Sequence, residues 1–327
     1  MASLFETLTQ SLTPDLVGQI GKSVGLDNSM VNKGLGVVGP LVTGALANTA
    51  QSPLGMDGLM KLIPQSSSSS SGLGSIVNML TGGGASSSTL SGLFGPGLSA
   101  ITGTLERTLG FKVGPLLGMA APLVLNLLGQ TMKSQNLDKA GVAQLLQQEQ
   151  NQFMSSGNDA SRLVMKALDA GKEATVVKAR YSADQWAKVR LAPMAVAQAV
   201  IAASPSGAIG RSKELSAAAT AITGFKETVS PTSVVSLAFD TDLTSSETDV
   251  LKQNPAAAIG IVRDAVAAVS TNSAADISEY GRLLVDVATQ VAEASKEGGF
   301  LGVGGKRVSE DEQKAIDQVR KLVGIAA

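Results

Sequence analysis

Residues 39–52 read "GPLVTGALANTAQS" and residues 121–134 read "APLVLNLLGQTMKS", with Lys133 the only charge in either. Pro40 matches Pro122, Leu41 matches Leu123, Val42 matches Val124, Leu46 matches Leu128 and Ser52 matches Ser134. Each stretch is followed by a turn and a second apolar run, "DGLMKLI" in one and "AGVAQLLQQEQNQF" in the other. Proline suits the first turn of a helix, where its missing N–H leaves no intrahelical acceptor unmet. Each copy therefore predicts a helix opening at or near its proline, then a second helix. A duplicated helical hairpin must bury two similar apolar faces, and pairing the copies does so within one chain or between chains.

A membrane offers another burial. A spanning helix needs about 20 predominantly apolar residues. The second copy is interrupted by Pro115, Pro122 and Asn126, the first by Thr43 and Asn48. No aromatic belt or basic flank marks an interface. Small residues (Gly44, Ala45, Ala47, Gly118, Ala120, Ala121) instead permit close helix–helix approach. The reading is buried packing.

Charged residues are sparse up to residue 132 and more than twice as dense beyond it. This shift places a boundary near residue 157, giving one domain over 1–157 and a second over 158–327. Inside the first lie "QSSSSSSGLGS" and "LTGGGASSSTLSGLFGPG". Serine and glycine runs cannot bury enough apolar surface to offset their backbone entropy, so residues 65–92 are expected to be flexible apart from a weak apolar anchor at 76–80.

The second half is built of alanine-rich, helix-favouring segments. Helix starts are expected at Ser182, Pro193, Ser212, Ser309 and around Pro255. Ser309 and Glu312 fit a capping box, in which hydroxyl and carboxylate satisfy each other's backbone donors. "SPTSVVSLAFD" has strand-like β-branched content, but Ser230-Pro231 reads as an N-cap with proline at the first position, hence helix. The expected fold is all-α: two helical domains, the first with a duplicated hairpin and a Ser/Gly-rich flexible insertion.

The segments "LFETLTQSL" and "VNKGLGVVGPLVTGALANTAQSPLGMDGLMKLI", and more loosely the second copy, resemble the YidB-like family of bacterial proteins of unknown function, over residues 3–155. The resemblance implies a compact helical, cytoplasmic domain without catalytic residues. A second echo pairs "VIAASPSGAIGRSKELSAAATAI" with "VAEASKEGGFLGVGGKRVSEDEQKAIDQV". It resembles the tellurite-resistance TerB-like helical domains, over residues 185–325. Those domains carry acidic residues suggestive of metal binding, but the loops here lack the aspartates such a site needs.

Composition narrows the chemistry. The chain has no cysteine and no histidine, which removes disulfides, thiolate nucleophiles, imidazole bases and the usual zinc ligands. Its net charge is −1 and its aromatic content 3%, so neither a basic field nor stacking platforms favour nucleic acid. The glycine loop "GGFLGVGGKR" (298–307) is not a phosphate-binding loop, because Lys306 is followed by Arg307 and no strand precedes it. "SEDEQ" (309–313) gathers three carboxylates where the helix dipole favours them. Asp240, Asp242, Glu247 and Asp249 form a looser acidic cluster that does not match an EF-hand. Trp186 is expected in the core. The opening "MASLFETLTQSLTPDLVGQIG" lacks a basic n-region, has Glu6 inside the apolar stretch, and reads as an amphipathic helix carrying Leu4, Phe5, Leu8 and Leu12.

No catalytic, cofactor-binding or metal-binding residue is assigned, and no cofactor is expected. The expected role is a non-enzymatic, cytoplasmic structural or interaction protein that self-associates as a homo-oligomer. Its contact is expected on the face bearing Leu41, Leu46, Leu123 and Leu128, without nucleic acid or membrane as partner. Two other roles share parts of the pattern: a TerB-like stress-response protein with a weak carboxylate site for a divalent metal, and a peripheral membrane-associated protein.

Overall fold

A computed structural model of the chain describes residues 13–51, 53–67, 87–204, 207–241, 243–253, 257–294 and 308–324. Among these residues there are helices and no strands, so the all-α expectation holds. Two compact units divide after Lys172. The compositional boundary at 157 falls in the turn before the helix that contains this division.

The first unit begins with α1 (Pro14–Val24), capped by the Thr13 hydroxyl and closed by Gly25 in the left-handed region. The long α2 (Asn28–Ala50) opens on the Asp27 carboxylate, which accepts the Met30 N–H at 2.8 Å. There follow α3 (Pro53–Ser67), α4 (Ser87–Phe94), a 3-10 turn (Gly95–Gly97), α5 (Leu98–Leu109) and α6 (Gly114–Ser134). After these come α7 (Lys139–Ser155) and α8 (Asp159–Ala179). The core lies where α2 packs on α6 and α7, and α3 packs on α6. The two repeat copies thus pair within one chain. Gly34 makes the approach possible, since a Cβ there would run into the Leu116 side chain. Gly97 and Gly171 play the same part between the 3-10 turn and α8, whose backbones touch.

Three expectations are corrected here. Pro40 and Pro122 lie inside α2 and α6 rather than at their starts, because Asp27 and the Gly114-Pro115 pair open those helices earlier. Residues 87–92 of the serine-rich segment are helical, since Leu90 and Leu93 of α4 are buried in the core. Residues 65–67 complete α3. The rest of that segment, the anchor at 76–80, the amphipathic start with Leu4, Phe5, Leu8 and Leu12, and the loop 298–307 lie outside the described residues.

In the second unit, α9 (Ala183–Ala203) is the central helix. It packs against α10 (Ala208–Thr228), α13 (Ala258–Asn272), α14 (Ile277–Ala294) and α15 (Glu310–Val323). The short α11 (Val234–Ala238) and α12 (Ser245–Gln253) complete it. Alanines at 192, 195 and 197 of α9 are fully buried or nearly so, which is why neighbouring helices can approach closely. Trp186 is buried, edge-on to Tyr181 with centroids 5.2 Å apart.

The capping boxes at Ser182/Gln185 and Ser309/Glu312 are both formed. Other starts differ. Pro193 lies within α9, and α10 opens at Ala208 rather than Ser212. The helix expected at Ser230-Pro231 begins three residues later with Ser233 as its cap, while Ser230 bonds Thr232 instead. Pro255 lies outside the described residues.

Candidate functional site

The four leucines expected to mediate association are interior. Leu41, Leu46 and Leu128 have no exposed surface and Leu123 retains 7%. All four belong to the first unit's core, where α2 and α6 meet. They hold one chain together in this fold.

By length and composition α2 and α6 are each apolar enough to cross a membrane. The α2 window is 78% buried inside the protein and the α6 window 56%. Both are core helices, and α6 is the less covered of the two. Its uncovered residues are not scattered. Pro115, Gly118, Pro122, Asn126 and Gln130 recur every three or four positions, hence on one face, and each is half-buried or exposed. No charged residue occurs between Lys112 and Lys133. Gly118 would accept a Cβ without meeting any atom within 4 Å. The result is a smooth, uncharged strip with Asn126 and Gln130 bonded to each other at 2.6 Å along it.

Residues 6–131 match the family model of DUF937, a bacterial protein of unknown function. YidB is a member of this family. The YidB-like expectation for the first half is therefore upheld, with the matched segment ending at 131 rather than 155. No curated protein and no solved structure matches the chain. The TerB-like resemblance of residues 185–325 receives no support from these comparisons. Both hairpin helices, α2 and nearly all of α6, lie inside the DUF937 segment, and so does the uncharged strip.

Outside the DUF937 segment the carboxylates singled out in the sequence are occupied. The Glu312 carboxylate accepts the Ser309 N–H at 2.7 Å, and Asp311 pairs with Lys314 at 2.8 Å. Glu247 bonds Arg190 Nε at 3.0 Å and the Thr244 N–H at 2.7 Å. The Thr244 N–H, aided by the Arg190 guanidinium, holds Glu247 below the usual carboxylate range. Asp240 lies 4.0 Å from the same guanidinium. Among the described residues no three carboxylates are placed to share a metal ion. Asp242 lies outside them.

Sequence reasoning missed Arg190. It is buried at 8% exposure and joins α9 to α12 through Glu247 and to the segment before α12 through Thr241 and Asp240. The signal was a lone arginine inside an apolar, alanine-rich helix, which must find carboxylate or carbonyl partners to be buried at all.

Proposed function

We propose that this chain is a non-enzymatic structural or interaction protein that self-associates, through the uncharged outer strip of α6. One observation carries the reading: a helix without charge from Gly114 to Met132 keeps one regular face, Pro115–Gly118–Pro122–Asn126, only partly covered by its own chain. The cores of protein–protein contacts are depleted of charged residues. Small side chains allow a second helix to approach closely, and the strip meets itself without like-charge repulsion, which suits an isologous dimer. The lack of histidine and cysteine, and the engagement of the acidic groups in caps and ion pairs, favour a role without catalysis. A cytoplasmic setting accords with two apolar helices whose leucines are satisfied inside the protein.

Light scattering on the purified chain at tens of micromolar tests the proposal. The expected result is a dimer or larger species that Gly118→Lys with Asn126→Lys converts to a monomer of unchanged helicity. Gly118 faces open space, and the unchanged helicity is the check that the variant folds. A monomeric wild type, or an assembly indifferent to both lysines, sinks the reading. Material that pellets with membranes after carbonate washing and needs detergent assigns the strip to lipid instead.

A further inference from the structure

A groove on the first unit has a different character from the α6 strip. It runs between α2 and α8, with the end of α5 closing one side, and encloses about 730 Å³. That volume lies within the range of roughly 300–1,000 Å³ typical of small-molecule sites. Its floor is bare helix at Gly36, where an added Cβ would meet nothing within 4 Å. Val37, Leu109, Ala160 and Leu163 make the floor and walls apolar.

The rim is cationic. Lys33 stands on α2, and Arg162 and Lys166 stand on α8. Asp159 is the one carboxylate among the lining residues, and it is tied to Arg162 at 3.1 Å. Three cations against one anion leave the groove at +2, in a chain whose net charge is −1. An apolar floor by itself would accept any hydrophobic occupant; the surplus positive charge selects an anion. Exposed ion pairs contribute little alone. An occupant therefore needs both parts, a tail on the floor and a negative head at the rim. The lining of α8 runs from Asp159 to Lys166, about 10 Å at 1.5 Å per residue. This is the reach of a single medium-length acyl chain, too short for a long peptide helix to be gripped along several turns.

We propose that this groove binds a single-chain anionic amphiphile, an acyl chain ending in a carboxylate, with its tail over Gly36 and Val37 and its head between Lys33 and Lys166. The site is independent of the α6 strip and does not rest on self-association.

Calorimetric titration of the full chain with decanoate, below its micelle concentration, tests the site. The expected result is saturable binding that weakens as salt is raised, because the rim charges are exposed and screened. Lys33→Glu with Lys166→Glu should weaken it by about tenfold or more, as should Gly36→Leu, which fills the floor. Gly36→Leu faces open space, and its melting temperature serves as the check on folding. Decanol, which keeps the tail without the charge, and acetate, which keeps the head without the tail, should each bind at least about tenfold more weakly. The proposal falls if decanoate gives no saturable heat, if both variants bind as the wild type does, or if decanol binds equally well. It also falls if an acidic amphipathic peptide occupies the groove more tightly than decanoate, which would reassign it to a protein partner.

Discussion

Each unit keeps a proline inside a long helix, and the two units accommodate it by different means. An interior proline removes one helix hydrogen bond and presses its ring against the carbonyl four residues earlier. In α2 and α6 that residue is glycine: Gly36 before Pro40 and Gly118 before Pro122. Both glycines are half-exposed with open space beside them, so the displaced carbonyl can tilt toward water. In α9 the residue before Pro193 is Val189, which is fully buried, and its carbonyl accepts the Tyr280 hydroxyl at 2.8 Å. The contrast extends through the two cores. Among the described residues, the first unit buries Thr43, Thr104 and Ser161 but no charge, whereas the second buries Arg190, Glu214 and Glu312. One unit is held by apolar volume and leaves helix defects to solvent; the other seals charged groups inside, where Arg190 and Glu312 find hydrogen-bond partners.

The largest effect expected from this contrast is in the apolar unit. Leu128→Ala should cost about 2–5 kcal/mol, the range for a fully buried leucine replaced by alanine in a core that relaxes little. Chemical denaturation followed by far-ultraviolet circular dichroism measures it. A loss below about 1 kcal/mol would mean that α6 is not the wall of the core described here.

Next is the seal in the second unit. Tyr280→Phe should cost about 1–3 kcal/mol, because the Val189 carbonyl loses its donor in a dry interior. Trp186, the sole tryptophan, reports this unit by fluorescence. Pro193→Ala restores a backbone N–H four residues beyond Val189. If the hydroxyl serves the proline, Tyr280→Phe becomes cheaper in that background, and a double-mutant cycle exposes the coupling. Equal costs in both backgrounds would break the account.

These two sites also mark the limit of what the sequence reveals. The all-helical class, the hairpin duplication and the caps at Ser182 and Ser309 were legible, because they rest on residues within a few positions of one another. The interior prolines were not. The local rule places proline at a helix start, and it is overridden by a glycine at Gly36 and Gly118 and by a hydroxyl 91 residues from Val189. The leucines were legible as apolar but not as interior, since burial is decided by which helices meet. The groove was invisible for the same reason: Lys33, Leu109 and Lys166 come together only in the fold.

A smaller effect separates the units by pH. Asp276 accepts the Val234 N–H at 3.3 Å, yet burial, and secondarily Glu173, raise its carboxyl above the usual range against the opposing pull of that N–H and Arg180. A raised carboxyl favours the protonated form in the fold. Its contribution to stability is complete below the unfolded-state value and is lost as pH rises through the folded-state value. At neutral pH the charge is therefore a burden, and Asp276→Asn keeps an acceptor for Val234 without it. The variant should be more stable than wild type at pH 7, with the advantage vanishing in mild acid. An advantage that grows on acidification would reverse the assignment.

The smallest effect asks whether glycine before a helical proline is there for the proline. A glycine in an exposed helix interior costs roughly 0.5–1 kcal/mol relative to alanine, through backbone entropy. Gly224 in α10 is a suitable reference: nothing lies within 4 Å of the Cβ it would gain, and residue 228 is threonine. Gly224→Ala should recover that amount as added stability. Gly118 faces equally open space, so packing predicts the same gain. If the glycine lets its carbonyl swing clear of the Pro122 ring, alanine stiffens the backbone where it must bend, and the gain shrinks or changes sign. Equal gains at both positions would show that open space alone describes Gly118. α2 and α6 would then absorb their prolines by some route other than the glycine four residues before each.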